Sequence, residues 1–256
     1  MGIFETHAHY DDEVFDKDRE SLLASMRENG VTRIMNVAAD MASCKTTEAL
    51  AERYTFIYGA LGVHPSETGA LTEEDMLWIR EHAVSEKIRA IGEIGLDYHW
   101  KEPAKEVQKR WFRRQLALAA QLDMPVIIHS RDAAADTLSI LMEENAAKLT
   151  GVVHCFSYAK EVAEAYMALG FYFGIGGVLT FSNARKLKEA VAEVIALKRI
   201  VLETDSPYLS PEPYRGTRND STRLPYVVKA LAQLKGVSEE EVIRVTEENA
   251  EKLYRL

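Results

Sequence analysis

The feature that most constrains the fold is a regular alternation of short apolar segments with longer amphipathic stretches. Eight apolar segments, rich in β-branched and aromatic residues, follow one another along the chain. They cover residues 2–4, 33–37, 57–63, 90–95, 125–128, 151–153, 170–175 and 199–202. Strands this short and this apolar are typical of a parallel sheet that is covered by helices.

Helical patterns fill the intervals between these segments. Seven are predicted near residues 16–29, 43–53, 73–86, 105–122, 132–147, 159–169 and 183–196, and two more near 222–235 and 239–253. Eight successive strand and helix units predict an α/β fold, a single (β/α)₈ TIM barrel with extra C-terminal helices. Because barrels of this kind commonly form one domain at the length of this chain, 256 residues, we expect a single domain over residues 1–256.

Charge and cysteine content narrow the possible functions. The formal net charge of −9 argues against indiscriminate coating of nucleic acid, although metal ions or a local basic patch would still receive a phosphate. Cys44 and Cys155 are far apart in sequence, and no apolar run approaches the roughly 18 residues of a membrane span. The first residues lack the basic and apolar regions of a secretory signal. We therefore expect a cytoplasmic protein with reduced thiols and no membrane association.

Metal-ligating residue types interrupt or follow several of the apolar segments. Barrel enzymes place their chemistry at the carboxyl ends of the strands, so these positions are candidates for an active site. His7 and His9 follow the first segment, and their imidazoles face the same side because side chains alternate along a strand. Glu93 lies inside the fourth segment, where a buried carboxylate requires a cation partner.

The other candidates follow later segments. His129 and His154 come directly after the fifth and sixth, and the eighth is followed by Glu203 and Asp205. Taken singly, each has an ordinary explanation as a surface histidine, a satisfied core histidine or a solvated acidic turn. Together they place imidazole or carboxylate groups on five of the eight predicted strands. This mixture suits zinc, manganese or magnesium, so a divalent-metal site is predicted.

Six ordered motifs run through the chain: THAH (6–9), GVHP (62–65), GEIGLDY (92–98), IHSR (128–131), HCFS (154–157) and ETDSP (203–207). In these motifs, and over nearly its whole length, the chain resembles the TatD family of metal-dependent deoxyribonucleases, a branch of the amidohydrolase-like barrels. The resemblance implies two divalent cations, Mg²⁺, Mn²⁺ or Zn²⁺, with Glu93 bridging them. The implied ligands are His7, His9, Glu93, His129, His154 and Asp205.

The resemblance also bears on substrate contacts. It implies that His64 and Glu203 lie near the substrate or directly behind the metal ligands, and that Arg215 and Asn219 belong to a substrate-facing loop. Some positions depart from the family pattern: Glu5 stands where an aspartate commonly precedes the first histidine pair, Tyr158 replaces a usual glycine, and His99-Trp100 follow Asp97-Tyr98. The departures leave the implied metal ligands intact and bear on substrate preference.

The expected activity is hydrolysis of phosphodiester bonds, with single-stranded DNA as the partner and 3′-to-5′ exonuclease action as a DNase. Asp205 is predicted to bind metal and to accept the proton from the attacking water, and Glu93 is the second catalytic candidate. A metal-dependent amidohydrolase or esterase acting on a small molecule is an alternative. A non-catalytic binding barrel that holds metal for its structure is another.

Two further sets of residues are candidates for substrate contact. Four arginines are predicted to lie on strand-end loops or at the start of a helix: Arg131, Arg215, Arg218 and Arg223. They would neutralise the phosphates of a nucleic acid, or they are ordinary solvated charges of the loops. Four aromatic residues would stack on the bases of a single strand, and a packed barrel rim explains them equally well: Tyr98, His99, Trp100 and Tyr208. His82 follows helical periodicity and is assigned to a helix surface.

Overall fold

The computed structural model describes residues 2–144 and 149–256, and it contains one eight-stranded parallel sheet whose strands lie in sequence order. Each strand is hydrogen-bonded to the next along the chain. The strands are β1 (Ile3–Ala8), β2 (Val31–Val37), β3 (Ile57–Leu61), β4 (Ile88–Asp97), β5 (Val126–Arg131), β6 (Gly151–Val153), β7 (Tyr172–Ile175) and β8 (Ile200–Leu202). The predicted barrel architecture is confirmed.

A helix follows every strand. The helices are α1 (Arg19–Ser25), α2 (Met41–Arg53), α3 (Glu73–His82), α4 (Lys105–Leu122), α5 (Ala134–Glu143), α6 (Lys160–Ala168), α7 (Arg185–Glu193), α8 (Leu224–Lys235) and α9 (Glu239–Tyr254). The side chains of Thr72 and Ser238 cap α3 and α9 by accepting backbone N–H groups of the first turn. The helix α8 completes the eighth unit, and α9 is the additional C-terminal helix.

The barrel closes between β1 and the segment that follows β8. The backbone N–H of Asp205 donates to the carbonyl of His7 at 2.9 Å, and that of His9 donates to the carbonyl of Ser206 at 2.9 Å. Ala8 and Ser206 form a parallel bridge at the same place. Closure therefore brings the histidine pair of the first strand beside Asp205, although about 200 residues separate them in sequence.

The helix α9 covers the amino-terminal end of the barrel. The backbone N–H of Gly2, just before β1, donates to the Glu247 carboxylate on α9, and the ring of Tyr254 lies 5.9 Å from that of Phe4. A buried cluster draws on all eight strands and α9: Phe4, Met35, Val37, Ala60, Ala90, Ile127, Val152, Tyr172, Val201, Ala250, Leu253 and Tyr254. With this end filled by apolar side chains, the carboxyl end is left for polar chemistry.

Three strands extend further toward their carboxyl ends than predicted, and in two of them, β1 and β5, the extension places ligand candidates, His7 and His129, inside the strand. The strand β1 continues past His7, and β4 continues to Asp97 with Glu93 near its middle. Apolar periodicity underestimates such strands because the polar candidates interrupt it. The helix predicted over residues 132–147 is α5, and positions 145–148 of that prediction lie outside the described residues. Within the described ranges, no helix has the length and apolar composition for crossing a bilayer.

Candidate metal centre

Five strands bring side chains together around Glu93 at the carboxyl end of the barrel. The two oxygens of this buried carboxylate face two different histidine pairs. Oε2 lies 3.3 Å from Nε2 of His7 and 3.9 Å from Nε2 of His9. Oε1 lies 2.7 Å from Nδ1 of His129 and 2.8 Å from Nε2 of His154. Glu93 is therefore the shared member of two ligand groups.

Asp205 joins the first of these groups. Its Oδ1 lies 3.4 Å from Nε2 of His9 and 3.7 Å from Nε2 of His7. Possible ligand atoms of Asp205, His7 and His154 all lie within 4.8 Å of one another, and the rings of His7 and His154 stack at 4.0 Å. All six residues predicted as ligands therefore lie in one cluster.

The spacing of the histidine nitrogens fits divalent cations. Zinc-to-nitrogen bonds of about 2.0–2.1 Å put two nitrogens on one tetrahedral ion roughly 3.3 Å apart. The Nε2 atoms of His7 and His9 are 3.2 Å apart, and Nδ1 of His129 lies 2.9 Å from Nε2 of His154. Two nitrogen lone pairs at such distances repel each other unless a proton or a cation lies between them. Because imidazole and carboxylate donors are mixed, the set suits zinc or manganese.

Hydrogen bonds on the side away from Glu93 determine which ring nitrogen of His9 and of His129 faces the centre. Nδ1 of His9 donates to the carbonyl of Val37 at 2.7 Å, since a carbonyl can only accept, and this leaves Nε2 as the metal-facing atom. Nε2 of His129 lies 3.2 Å from Oδ2 of Asp97, which leaves Nδ1 toward Glu93. A carboxylate partner of this kind commonly supports metal-binding histidines. Sequence reasoning gave Asp97 no role, although its place four residues after Glu93 in the same motif was the available signal.

His64 faces the centre with its Nε2. The backbone N–H of Ser66 donates to Nδ1 of His64 at 3.1 Å, and Oγ of Ser66 lies 2.7 Å from the same nitrogen. Burial, reinforced by the charge of His129, lowers the pKa of His64 to about 3, so the ring is neutral. Its Nε2 lies 3.7 Å from Oε1 of Glu93, and possible ligand atoms of His64, Glu93 and His129 all lie within 4.8 Å of one another. The tautomer of this ring decides its role: a bare Nε2 is a metal ligand, and a protonated Nε2 is a hydrogen-bond donor.

The charges of the cluster are set by opposing effects. Burial raises the pKa of Glu93, but the neighbouring histidines, His154 first among them, outweigh it and hold this pKa well below its usual range. Burial also raises the pKa of Asp205, and the hydrogen bond with His9 outweighs it, so the pKa is lowered. Both carboxylates are therefore ionised at neutral pH.

Two histidines of the cluster carry a proton that a metal ion has to displace. Burial lowers the pKa of His9, but the hydrogen bond and charge of Asp205 raise it further, to about 10. In His129 burial is outweighed by Asp97 and Glu93, and the pKa rises to about 9. Because metal ligation requires a free nitrogen lone pair, metal binding competes with these protons.

Gly95 allows β4 and β5 to approach each other between two ligands. Its φ is +149°, and a Cβ at this position would lie 1.9 Å from the carbonyl oxygen of His129. A Cβ on Gly62 would similarly lie 2.8 Å from the backbone of Gly92, next to Glu93. These motif glycines are needed because the neighbouring backbone occupies the space of a side chain.

Glu203 is a buried carboxyl group beside His154. Its Oε1 accepts a hydrogen bond from the backbone N–H of Cys155 and lies 3.9 Å from Nδ1 of His154. Burial, together with the charge of Asp205, raises the pKa of Glu203 well above its usual range. Its Oε2 has no hydrogen-bond partner among the described residues, and a Cβ on Gly174 would overlap that atom. The structure thus places Glu203 next to the metal ligands, on the inner side of the cluster.

Arg131 lies at the edge of the centre. Its side chain is exposed at the end of β5, two residues after His129. Burial raises the pKa of Cys155 well above its usual range, and the positive charge of Arg131 acts on this thiol in the opposite direction. The negative charges of Asp205, Glu203 and Glu93 also raise the pKa of Cys155, so this thiol lies within electrostatic reach of both Arg131 and the carboxylates of the cluster.

The other three predicted arginines make contacts within the loops. Arg218 pairs with Asp18 at 2.6 Å, and Arg223 donates to Ser210 at 2.9 Å. For these two, the described contacts favour loop packing over phosphate binding. Arg215 is exposed, with its guanidinium 4.3 Å from the centre of the Phe181 ring.

Asn219 is enclosed by the loop that follows β8. Its side chain is fully buried, and its Nδ2 donates to the carbonyls of Thr204 at 3.0 Å and Tyr208 at 2.8 Å. The expected substrate contact by Asn219 is therefore not what the structure presents, because its amide satisfies buried carbonyls of the segment around Asp205. His82 lies on α3, as predicted, and pairs with Glu48 at 2.8 Å.

Comparisons with known proteins agree with this geometry. The family described as TatD related DNase matches residues 4–255. The uncharacterized metal-dependent hydrolase YabD of Bacillus subtilis is 44% identical over 254 residues, which cover 99% of each chain. The 3′-5′ ssDNA/RNA exonuclease TatD of Cronobacter sakazakii is 34% identical over 245 residues, 94% of this chain and 93% of that one. The crystal structure of the TatD homologue YjjV from Escherichia coli has a TM-score of 0.93 and 30% identity, covering 99% and 98% of the two chains.

Proposed function

Because the chain belongs to the TatD family of metal-dependent hydrolases, we propose that it hydrolyses phosphodiester bonds with two divalent cations held around Glu93. The finer form of the proposal is a DNase that removes nucleotides from the 3′ end of single-stranded DNA. The Cronobacter sakazakii relative is named as a 3′-5′ exonuclease of single-stranded DNA and RNA, and this name supports a nucleic-acid substrate.

One observation carries the proposal: each oxygen of Glu93 faces its own pair of histidines. A closed structural zinc site uses four ligands, whereas Glu93 and the five ligand side chains around it suit two ions with positions left for substrate. When bound, two such cations polarise a phosphate oxygen and make water a stronger nucleophile. A phosphodiester, which is anionic and has a poor leaving group, benefits from both effects.

Side chains of the protein are proposed to accept the proton and to contact the phosphates. Asp205 is proposed to accept the proton of the attacking water, since its lowered pKa keeps it ionised and its Oδ1 faces the first ligand group. His64, whose Nε2 faces the same space, is proposed to carry its proton on that atom and to donate a hydrogen bond to a phosphate oxygen. Arg131 supplies an exposed positive charge at the edge of the metal centre, where a neighbouring phosphate of the bound nucleic acid would lie.

The test is a nuclease assay on metal-reconstituted protein. Protein stripped by a chelator is loaded with Mn²⁺, Zn²⁺ or Mg²⁺ and mixed with a single-stranded oligonucleotide labelled at its 5′ end. We expect a ladder of shortening products that requires metal and disappears in Glu93→Gln. His82→Gln is the matched control, because this histidine lies on α3 with Glu48 and outside the cluster. Full activity in Glu93→Gln would contradict the proposal.

Asp205→Asn tests the assignment of the proton acceptor. The variant keeps an oxygen for a cation but is a much weaker base, so we expect it to retain metal while the rate of cleavage falls by about 10²-fold or more. Metal content per chain, measured beside the rate, separates loss of the base from loss of the ion. A variant with full metal content and an unchanged rate would refute this role.

A metal-dependent amidohydrolase or esterase is tested with the same preparations. A panel of small amides, lactones and esters is assayed beside the oligonucleotide. Turnover of a panel member without cleavage of nucleic acid would replace the proposal, since the ligand cluster serves either chemistry. Metal uptake without turnover of any substrate would instead favour a non-catalytic barrel.

A further inference from the structure

The exposed aromatic side chains of this protein all follow two strands. The chain has 3 tryptophans, 11 tyrosines and 8 phenylalanines, all within the described ranges. Four of these side chains are exposed: Trp100 at 56%, Tyr208 at 57%, Tyr214 at 38% and Tyr226 at 39%. Trp100 follows β4, and the other three follow β8. These positions lie on the same end of the barrel as the metal centre.

Trp100 is connected to the metal ligands through a short hydrogen-bonded path. Oδ2 of Asp97 lies 3.2 Å from Nε2 of His129, and Oδ1 of the same carboxylate accepts the backbone N–H of His99 at 2.9 Å. Trp100 is the next residue, with its ring 4.8 Å from that of His99. Its indole is otherwise open to solvent, so a large apolar surface stands a few residues from a ligand.

Tyr208 is likewise a few bonds from a metal ligand, in the segment that follows β8. Its backbone N–H donates to the carbonyl of Asp205 at 2.8 Å, and the negative charge of Asp205 acts on its hydroxyl. The hydroxyl is 3.5 Å from Oδ2 of Asp12, a weak contact that leaves the ring face free. Because β4 and β8 are half the barrel apart in sheet order, Tyr208 and Trp100 flank the centre from opposite sides.

The neighbouring Tyr98, in contrast to Trp100 and Tyr208, is packed against other side chains. Its hydroxyl donates to Asp136 at 2.6 Å, and the ammonium group of Lys105 lies 4.0 Å from its ring centre. Tyr98 therefore belongs to the packed rim, whereas Trp100 and Tyr208 have ring faces that no described side chain covers to a comparable degree.

We infer that Trp100 and Tyr208, hereafter the aromatic pair, are stacking platforms for the unpaired bases on either side of the phosphate at the metal centre. Stacking on an aromatic ring is available to every base, but only when the base is free of its duplex partner. The aromatic pair therefore selects single strands without selecting sequence. This inference rests on the proposed nuclease function and adds what the site recognises beyond phosphate.

The charges beside the pair are mixed. Arg131 is exposed at the end of β5, beside β4, and Lys101 is exposed next to Trp100, but exposed acidic residues, Asp132 and Glu102, directly follow them. Asp11 and Asp12 lie on the β1 side, where Asp12 contacts Tyr208. Selection of single strands is therefore assigned to the open ring faces of the pair and not to the surrounding charge.

The experiment compares alanine and phenylalanine variants of the aromatic pair on three substrates. Metal-loaded Trp100→Ala and Tyr208→Ala should each raise KM for a single-stranded oligothymidylate by at least about fivefold. Trp100→Phe and Tyr208→Phe keep a ring and should stay near wild type. Cleavage of an abasic oligodeoxynucleotide and of a duplex should change little, because neither offers unpaired bases to the rings. Leu77→Ala is the control, since Leu77 is 52% exposed on α3 and far from these loops in sequence.

Tryptophan fluorescence gives a readout that does not need turnover. In the metal-loaded Asp205→Asn protein, oligothymidylate should quench emission, and Trp100→Phe should remove that quenching, since Trp111 is buried and Trp78 stacks on His82. Unquenched emission, or an unchanged KM in both alanine variants, would overturn the inference even if the oligonucleotide is cleaved. Quenching without cleavage would instead keep the inference and count against the proposed nuclease reaction. A dimer that dissociates in the alanine variants while KM stays constant would assign the rings to a second copy of this chain.

Discussion

Glu5 is a fully buried carboxyl group one residue from the first ligand motif, and its replacement by glutamine tests how the barrel tolerates buried charge. Oε1 accepts the backbone N–H groups of His7 at 3.1 Å and Thr204 at 2.9 Å, and Oε2 accepts the hydroxyl of Ser221 at 2.9 Å. All three donors are neutral. Burial raises the pKa of Glu5 to about 7, and these hydrogen bonds oppose the rise only in part.

The raised pKa fixes the sign and size of the expected effect. An unfolded chain releases the proton of Glu5 near 4.5, whereas the folded protein releases it near 7, so the folded state binds more protons between these values. Folding stability contributed by this group is therefore present at low pH and is lost as pH rises through that window. The two pKa values correspond to about 3 kcal/mol in total, of which about 2.5 kcal/mol falls between about pH 5 and about pH 8.

Glu5→Gln removes this pH-dependent part because the amide is neutral throughout. We expect urea unfolding of the chelator-treated proteins to show that the stability of the variant relative to wild type improves by about 2.5 kcal/mol from about pH 5 to about pH 8. Working without metal keeps the charge and the binding energy of the cations out of the comparison. Glu106→Gln, at a side chain that is 85% exposed, is the control and should track wild type. A difference between Glu5→Gln and wild type that is the same at both pH values would refute the reasoning.

Three further predictions concern the site and its support. Gly95→Ala should abolish metal binding or soluble folding, because the added Cβ would overlap the carbonyl of His129. Soluble yield and metal content per soluble chain measure the effect, and a soluble variant with normal metal content would contradict the prediction. Metal uptake near about pH 7.5 should release up to about two protons, since the pKa values of His9 and His129 are about 10 and about 9 in the free site. For the same reason, apparent affinity should rise with pH up to about 10, and less steeply above about 9. Calorimetry in buffers of different ionisation enthalpy counts these protons, and a count near zero would be inconsistent with the ion pairs. Asn219→Ala should lower the free energy of unfolding by about 2 kcal/mol or more, because two buried carbonyls lose their donor; an unchanged urea midpoint would show that water replaces the amide.

The strands and the ligand types were accessible from the amino-acid sequence for a physical reason. A parallel barrel strand must be apolar on both faces, so a charged or imidazole side chain in or after such a strand needs a specific partner. Glu93 within β4 and His129 within β5 are examples, and the structure brings both into one cluster. The ends of β1 and β4 were less accessible, because the ligands themselves interrupt the apolar pattern.

The roles of individual polar groups around the ligands depended on contacts between distant segments. Asn219 was expected to face substrate, and it instead binds carbonyls of the segment that carries Asp205. Arg218 was a candidate for phosphate, and it pairs with Asp18 from the opposite end of the chain. Residue type permits either role in both cases, and only the path of the loop after β8 decides between them.

Residue types and their order are enough to specify a barrel, a metal-binding set and the end of the barrel that carries it, because strand periodicity and burial act locally along the chain. The assembled barrel decides the rest. It divides four histidines into two pairs across the oxygens of Glu93. It also places Ser66 against Nδ1 of His64 and leaves Nε2 of that ring facing Glu93. These outcomes depend on distances of a few ångströms between side chains from different strands, and such distances exist only once the sheet has closed on itself.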